Sequence, residues 1–127
     1  MDDKEREKYE KLTREKEKYE LVSKQYDDLY EKLEAKYESI EFYLRDLEEH
    51  CKNFIDTRMN DGDYGTPIDK YNAFYYKMLG RINSKKAEYI SLRQQIKGEL
   101  NKVKNAKNKY TNLANDCEER RQACYSN

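Results

Sequence analysis

The fold of this 127-residue chain is decided by Asn60-Asp61-Gly62-Asp63-Tyr64-Gly65-Thr66-Pro67, at the midpoint of the sequence. The stretch holds two of the four glycines and the one proline, while the residues on either side contain almost no helix breaker. Thr66, Pro67 and Asp69 have the pattern of a capping box with proline at the first helical position. The sequence therefore predicts a turn over residues 58–66 between two long helices that fold back on each other.

Composition supports one all-α domain over residues 1–127. Charged residues make up 41% of the chain and hydrophobic residues 36%, a balance typical of helices that each bury a single narrow seam. The predicted fold is an antiparallel two-helix hairpin, coiled-coil-like. A third or fourth helix, from a partner or a second copy, would complete a more stable bundle.

The first helix is predicted over about residues 3–57. Its charged start, residues 1–18, is expected to be helical but to pack loosely. After it, apolar residues recur in steps of three and four, with two fours in succession around Leu33. The predicted seam consists of Tyr19, Val22, Tyr26, Leu29, Leu33, Tyr37, Ile40, Leu44, Leu47, Cys51 and Phe54.

The second helix is predicted over about residues 67–122. Gly80, with Asn83 and Ser84 shortly after it, is its weakest point, so a bend or a break at 80–84 stays open. The second seam also has two steps of four in succession, at Leu92–Ile96–Leu100. If Phe54 faces the helical turn at 68–71, these steps lie near those around Leu33. The predicted seam consists of Ile68, Tyr71, Tyr75, Met78, Ile82, Tyr89, Leu92, Ile96, Leu100, Val103, Ala106, Tyr110, Leu113, Ala114 and Cys117.

The zero net charge hides an asymmetry between the two halves. Residues 1–64 carry 13 Lys/Arg against 20 Asp/Glu, and residues 65–127 carry 13 against 6. An acidic helix beside a basic one favours an intramolecular hairpin. The same neutral total argues against nucleic acid as a partner.

The three cysteines do not form a disulfide framework. Cys117 and Cys124 are seven residues apart on one helix, about 10 Å at ~1.5 Å per residue, and Cys51 lies near the other end of the hairpin. Reduced thiols are expected. The first residues lack a secretory signal, and no apolar run is long enough to span a membrane, so a cytoplasmic protein is predicted, with export possible only without a cleaved signal.

No catalytic or metal-binding pattern is present, so no enzyme activity, cofactor or metal is predicted. The one histidine, His50, is adjacent to Cys51, and neighbouring helical residues point about 100° apart. Asn60, Asp61 and Asp63 lack the spacing of a calcium loop and are explained by turn formation.

Aromatic residues near the turn are the candidate partner-binding surface. The chain has 13 tyrosines and no tryptophan, and exposed aromatic side chains anchor many interfaces. Packing around the turn is the alternative role for these residues. The candidate residues are Phe42, Tyr43, Tyr64, Phe74 and Tyr76.

The hairpin, with an aromatic residue and a glycine at its turn, resembles the small W-x-G-like helical proteins of type VII secretion. More narrowly, it resembles the accessory proteins encoded beside LXG toxins. The resemblance rests on two features of the sequence. Tyr64-Gly65 stands in place of the family's Trp-x-Gly, and Phe42 with Asp46 has the form of the aromatic-x-x-x-acid export signal. In this chain that pair lies in the first helix, whereas the family's signal commonly follows the second. The resemblance implies that the chain packs against the helical N-terminal region of a secreted toxin and supports its export.

Three functional hypotheses follow. The first is a non-enzymatic accessory protein or chaperone that binds a helical partner. The second is a small, phage-type inhibitor that blocks a nucleic-acid-processing enzyme with a charged face. The third is an oligomeric coiled-coil scaffold.

Overall fold

A computed structural model describes residues 2–56 and 66–125, with side chains at 2–54 and 70–125. Helix α1 spans Asp3–Asp56 and helix α2 spans Thr66–Ala123. The two helices pack against each other, which confirms the predicted all-α hairpin. Residues 57–65, with Tyr64 and Gly65, and the side chains of the predicted capping box lie outside the described part.

Asp2 caps the start of α1, a feature the sequence analysis did not anticipate. Its Oδ1 accepts a hydrogen bond from the backbone N–H of Glu5 at 2.8 Å, and its carbonyl oxygen accepts one from Arg6 at 3.0 Å. Asp3 and Glu5 add negative charge to the first turn, where the helix dipole favours it. The charged start of the chain is therefore a well-terminated helix.

Helix α2 is a continuous α-helix through Gly80, so the break considered at 80–84 does not occur. A Cβ atom added to Gly80, or to Gly98, would meet nothing within 4 Å. Neither glycine is required by close packing. The helix continues because one interior glycine costs only about 1 kcal/mol, which the flanking contacts of a long helix offset.

The hairpin divides into two compact units. The terminal unit comprises Met1–Glu34 and Gly98–Asn127, and the central unit comprises Ala35–Lys97. Each unit contains one segment from each helix.

A small hydrophobic cluster forms the core of the terminal unit. Leu12, Cys117 and Cys124 are buried, and Tyr9 and Tyr19 pack against them. The expectation that residues 1–18 pack loosely is therefore wrong. Leu12, isolated among charges in the sequence, is only 5% exposed because the small side chains of Cys117 and Cys124 leave room for it. All three cysteines are free thiols, as predicted.

Polar contacts fix the register of the terminal unit. Lys16 lies 2.9 Å from Glu118, the hydroxyls of Ser23 and Thr111 are 2.8 Å apart, and Lys107 lies 2.7 Å from Asp27. Successive contacts advance by seven and then four residues on α1 and retreat by the same steps on α2. This is the spacing of two helices that run antiparallel and meet along one face.

The core of the central unit contains the buried residues Ile40, Leu44, Tyr75 and Ile96. Phe54 stacks on Tyr75 with ring centroids 4.8 Å apart and planes 4° apart. Phe54 therefore faces α2 about one helical turn beyond the segment 68–71 that the sequence analysis assumed. The reason is that Tyr75, which is only 2% exposed, lies in the seam and its ring packs face to face on the ring of Phe54.

Among the predicted seam residues whose side chains the structure describes, two are exposed. Leu29, in the terminal unit, is 43% exposed, and Leu92, in the central unit, is 42% exposed. A pair of helices buries a stripe only about two residues in seven wide, whereas the apolar stripe in the sequence is wider. Residues at the edge of the stripe are consequently left in solvent.

Candidate interaction surface

One side of the central unit is closed by ion pairs. Arg93 lies 3.5 Å from Glu41, and Lys86 lies 3.3 Å from Glu48. Both pairs join α1 to α2, and their members are seven residues apart on each helix. On this side, acidic residues of α1 are paired with basic residues of α2.

The opposite side of the central unit carries exposed apolar side chains from both helices. Tyr43 lies two residues after Glu41, about 200° further around α1, and its ring is 6.2 Å from that of Tyr89. On α2, Leu92 lies on the other side of buried Ile96 from the ion-paired Arg93. The two ion pairs that join the helices and the exposed apolar residues thus occupy different sides of the seam.

Phe74 belongs to the same side as Leu92. The two residues are eighteen positions apart, which is five whole turns at 3.6 residues per turn. Tyr43, Phe74 and Leu92 are 52%, 56% and 42% exposed. These three residues, called here the apolar flank, are exposed large apolar side chains on one side of the seam. Arg81 and Lys85 lie between Phe74 and Leu92 on the same side of α2.

Phe42 lies on a third face, directed away from α2. It is 62% exposed and lies two residues before Leu44, which is buried. Its ring meets that of Tyr43 edge to face at 6.1 Å. A shallow groove beside it is lined by Ala35, Glu38 and Ser39.

The structure separates the remaining predicted residues. Tyr76 is 51% exposed and packs edge to face on Tyr75, but it lies about 200° around α2 from Phe74. The Asp46 side chain is half exposed and lies 3.4 Å from Nδ1 of His50. Phe42, Tyr43 and Asp46 are thus neighbours on α1, whereas Phe74 and Tyr76 lie on different sides of α2.

Leu92 is the surface residue that the sequence analysis missed, because its spacing also fits the seam. The helical repeat offered a signal: Leu92 shares its angular position with Phe74, which was predicted to be exposed. Two residues at the same angle beside one straight seam tend to have the same exposure.

The terminal unit contains a cluster of interacting titratable groups. Arg121 donates a hydrogen bond from Nη2 to the hydroxyl of Tyr9 at 2.7 Å and another from Nη1 to Glu118 at 3.1 Å. The guanidinium also lies 4.8 Å from the centre of the Tyr9 ring. Tyr125 packs edge to face on Tyr9 at 5.3 Å. This cluster joins the last turn of α2 to α1.

The contacts in this cluster shift the pKa values of several of its side chains. Hydrogen bonds from Tyr125 and Arg121 lower the pKa of Tyr9, and the bond to Tyr9 raises the pKa of Tyr125. Lys16 lowers the pKa of Glu118, while Glu118 raises that of Lys16. Lys16 and Glu118 thus each favour the charged form of the other, and this contact between α1 and α2 stabilises the folded pair.

The described residues give no support for a metal centre: no group of three or more His, Cys, Asp and Glu side chains there could hold an ion. Burial raises the pKa of the Cys117 thiol, which disfavours its reactive thiolate form. Within the described ranges, neither helix has the length of apolar sequence needed to cross a membrane.

No known protein family, curated protein or solved structure matches this chain. Its function is therefore argued from its surfaces.

Proposed function

We propose that this chain is a non-enzymatic helical binding protein whose apolar flank packs against a helix of another protein. The carrying observation is the exposure of Tyr43, Phe74 and Leu92 on one side of the seam, opposite the side closed by ion pairs. A helix laid along that side would contact both α1 and α2. It would complete a three-helix arrangement in which these side chains become core residues.

The small core of the hairpin supports this proposal. Among the described residues nine are buried, and four of them are the small side chains of Val103, Ala114, Cys117 and Cys124. A two-helix pair with so little buried apolar area gains stability from a further helix, since hydrophobic stabilisation is roughly proportional to the area removed from water.

The resemblance to accessory proteins of type VII secretion supplies a partner class. On that reading the partner is the helical N-terminal region of a secreted toxin, and the chain acts in the cytoplasm as its chaperone before export. Phe42 and Asp46, neighbours on the outer face of α1, then supply the aromatic-x-x-x-acid signal.

Co-purification with the helical N-terminal region of an LXG-type toxin tests the proposal. A one-to-one complex is expected, and Tyr43→Glu combined with Phe74→Glu should abolish it without loss of helix content. Leu21→Glu is the matched control, because Leu21 is 58% exposed but lies in the terminal unit. Persistence of the complex in the double variant, or equal loss with Leu21→Glu, would refute the proposed surface.

The charge of α2 favours a second candidate, an inhibitor of a nucleic-acid-processing enzyme. Lys70–Lys109 contains eleven Lys/Arg and two Asp/Glu. Three of these cations, Lys86, Arg93 and Lys107, pair with acidic residues of α1. The other cations leave an excess of positive charge for an acidic partner. A phage-encoded gene neighbourhood, together with inhibition that weakens as salt rises, would favour this function over the first.

A further inference from the structure

We infer that the outer face of α1 around Phe42 docks onto the outer face of α2 around Gly80 in a second copy of this chain. This contact does not rest on the proposed function. Its two faces adjoin the apolar flank, because Tyr43 lines the groove beside Phe42 and Arg81 lies at nearly the same angle of α2 as Phe74. It follows from the shape, charge and spacing of two faces that the hairpin leaves uncovered in the central unit.

The face on α1 is a projecting ring between two acids. Phe42, 62% exposed, lies four residues after Glu38 and four residues before Asp46. Residues four apart share one face of a helix, so the three form an acid–aromatic–acid row. Ala35 and Ser39 line the groove beside the ring and leave room for a neighbouring helix.

The face on α2 is a groove with a basic rim. It is lined by Lys77, Gly80, Arg81, Ser84 and Lys85, together with Glu88. A Cβ atom on Gly80 would meet nothing within 4 Å, so the glycine leaves open space for an incoming side chain. Lys77, Arg81 and Lys85 are also spaced by four residues and form a basic row.

The two rows match when one helix is laid on the other. With Phe42 over Gly80 and Arg81, each flanking acid meets a flanking lysine, because both rows have the same four-residue steps. The ring would also contact the Arg81 guanidinium, a favourable cation–π arrangement. Lys85 pairs with Glu88 of its own chain at 3.3 Å. Because this pair is exposed and contributes little to stability, Lys85 can pair with Glu38 of the second copy instead.

One chain cannot make this contact with itself. Phe42 is two residues from buried Leu44, and Gly80 is two residues from both Met78 and Ile82, which are half-buried toward α1. Both faces therefore point away from the seam. The contact joins different surfaces of two copies, so it is heterologous and allows further copies to add.

Sedimentation of the full-length chain tests the inference. A contact through one helix face buries less than the roughly 1,200 Å² of a stable interface, so the affinity is expected to be low. Concentrations from about 10 µM to 1 mM are therefore needed to detect association. The average mass is expected to rise above 15.4 kDa with concentration and to fall back at high salt, which screens exposed charges. A monomer at every concentration, or an association that high salt leaves unchanged, would overturn the inference.

Two variants block the two faces separately. Phe42→Ala removes the ring, and Gly80→Leu fills the groove; each is expected to remain monomeric with unchanged helix content. Gly98→Leu is the matched control, because Gly98 is also an exposed helical glycine with nothing within 4 Å. Equal effects of Leu at positions 80 and 98 would contradict the assigned groove.

Mixing the two blocked variants gives the sharpest test. Gly80→Leu keeps its Phe42 face, and Phe42→Ala keeps its groove, so an equimolar mixture should form a one-to-one complex of about twice 15.4 kDa. No larger species should appear, since both outer faces of that complex are blocked. Absence of the complex, or a closed dimer in the unmodified chain, would refute a heterologous contact.

Discussion

Arg121 donates a hydrogen bond to the hydroxyl of Tyr9 across 2.7 Å, which links residues 112 positions apart in the sequence. Nearby, Glu118 accepts from Lys16 at 2.9 Å and from Arg121 at 3.1 Å. These contacts hold the highly charged start of α1 against the end of α2. Four consequences of the structure can be measured.

Glu118 should make the free energy of unfolding depend on pH. Lys16 keeps the pKa of Glu118 below its ordinary value of 4.5, so Glu118 stabilises the fold above about pH 4.5 and loses this contribution as pH falls through the lowered pKa. The difference in unfolding free energy between the unmodified chain and Glu118→Gln should be constant near neutral pH and shrink below pH 4.5. Urea titrations at several pH values measure it. Glu119→Gln, at an exposed neighbouring position, is the matched control variant.

Leu12 should contribute to stability as a core residue. Leu12→Ala is expected to destabilise the fold by about 2–4 kcal/mol, because it removes a side chain that is only 5% exposed and leaves a cavity. Leu21→Ala, at a position 58% exposed, should cost less than about 0.5 kcal/mol. Chemical denaturation compares the two. Similar losses would mean that the start of α1 does not pack as described.

The helical glycines should be replaceable with a gain in stability. Gly80→Ala and Gly98→Ala are each expected to stabilise the fold by about 0.5–1 kcal/mol, since alanine loses less backbone entropy and its methyl group meets no neighbour. The two gains should add, because the sites are far apart in the sequence and share no contact. Thermal melts of the single and double variants measure this. A loss at Gly80 would indicate a backbone conformation that requires glycine.

The three thiols should react at different rates. Cys51 is half-buried, whereas Cys117 and Cys124 are buried and burial raises the pKa of Cys117. Alkylation of the native chain is therefore expected to modify Cys51 first. Mass spectrometry of the labelled peptides identifies which cysteine has reacted. In denaturant the three rates should converge. Early labelling of Cys117 would contradict the packed terminal core.

Prediction from sequence succeeded where it relied on local patterns. The central break, the three-and-four spacing and the charge difference of the halves led to the hairpin, and the cysteine spacing led to free thiols. The exposure of the candidate surface was only partly predictable. Leu92 fits both seam and flank by spacing, and Tyr76 and Phe74 were grouped although they lie on different sides of α2.

Sequence alone thus determined that two amphipathic helices form and fold together, because helix periodicity and breakers are properties of neighbouring residues. Only the tertiary structure decided which apolar residues are covered: Leu12 is buried, while Leu29 and Leu92 are exposed. The register of α1 against α2, set by pairs such as Phe54 with Tyr75, determines which side chains find partners. A narrow contact between two helices buries part of a wider apolar stripe, and the position of that contact is fixed by residues distant in sequence.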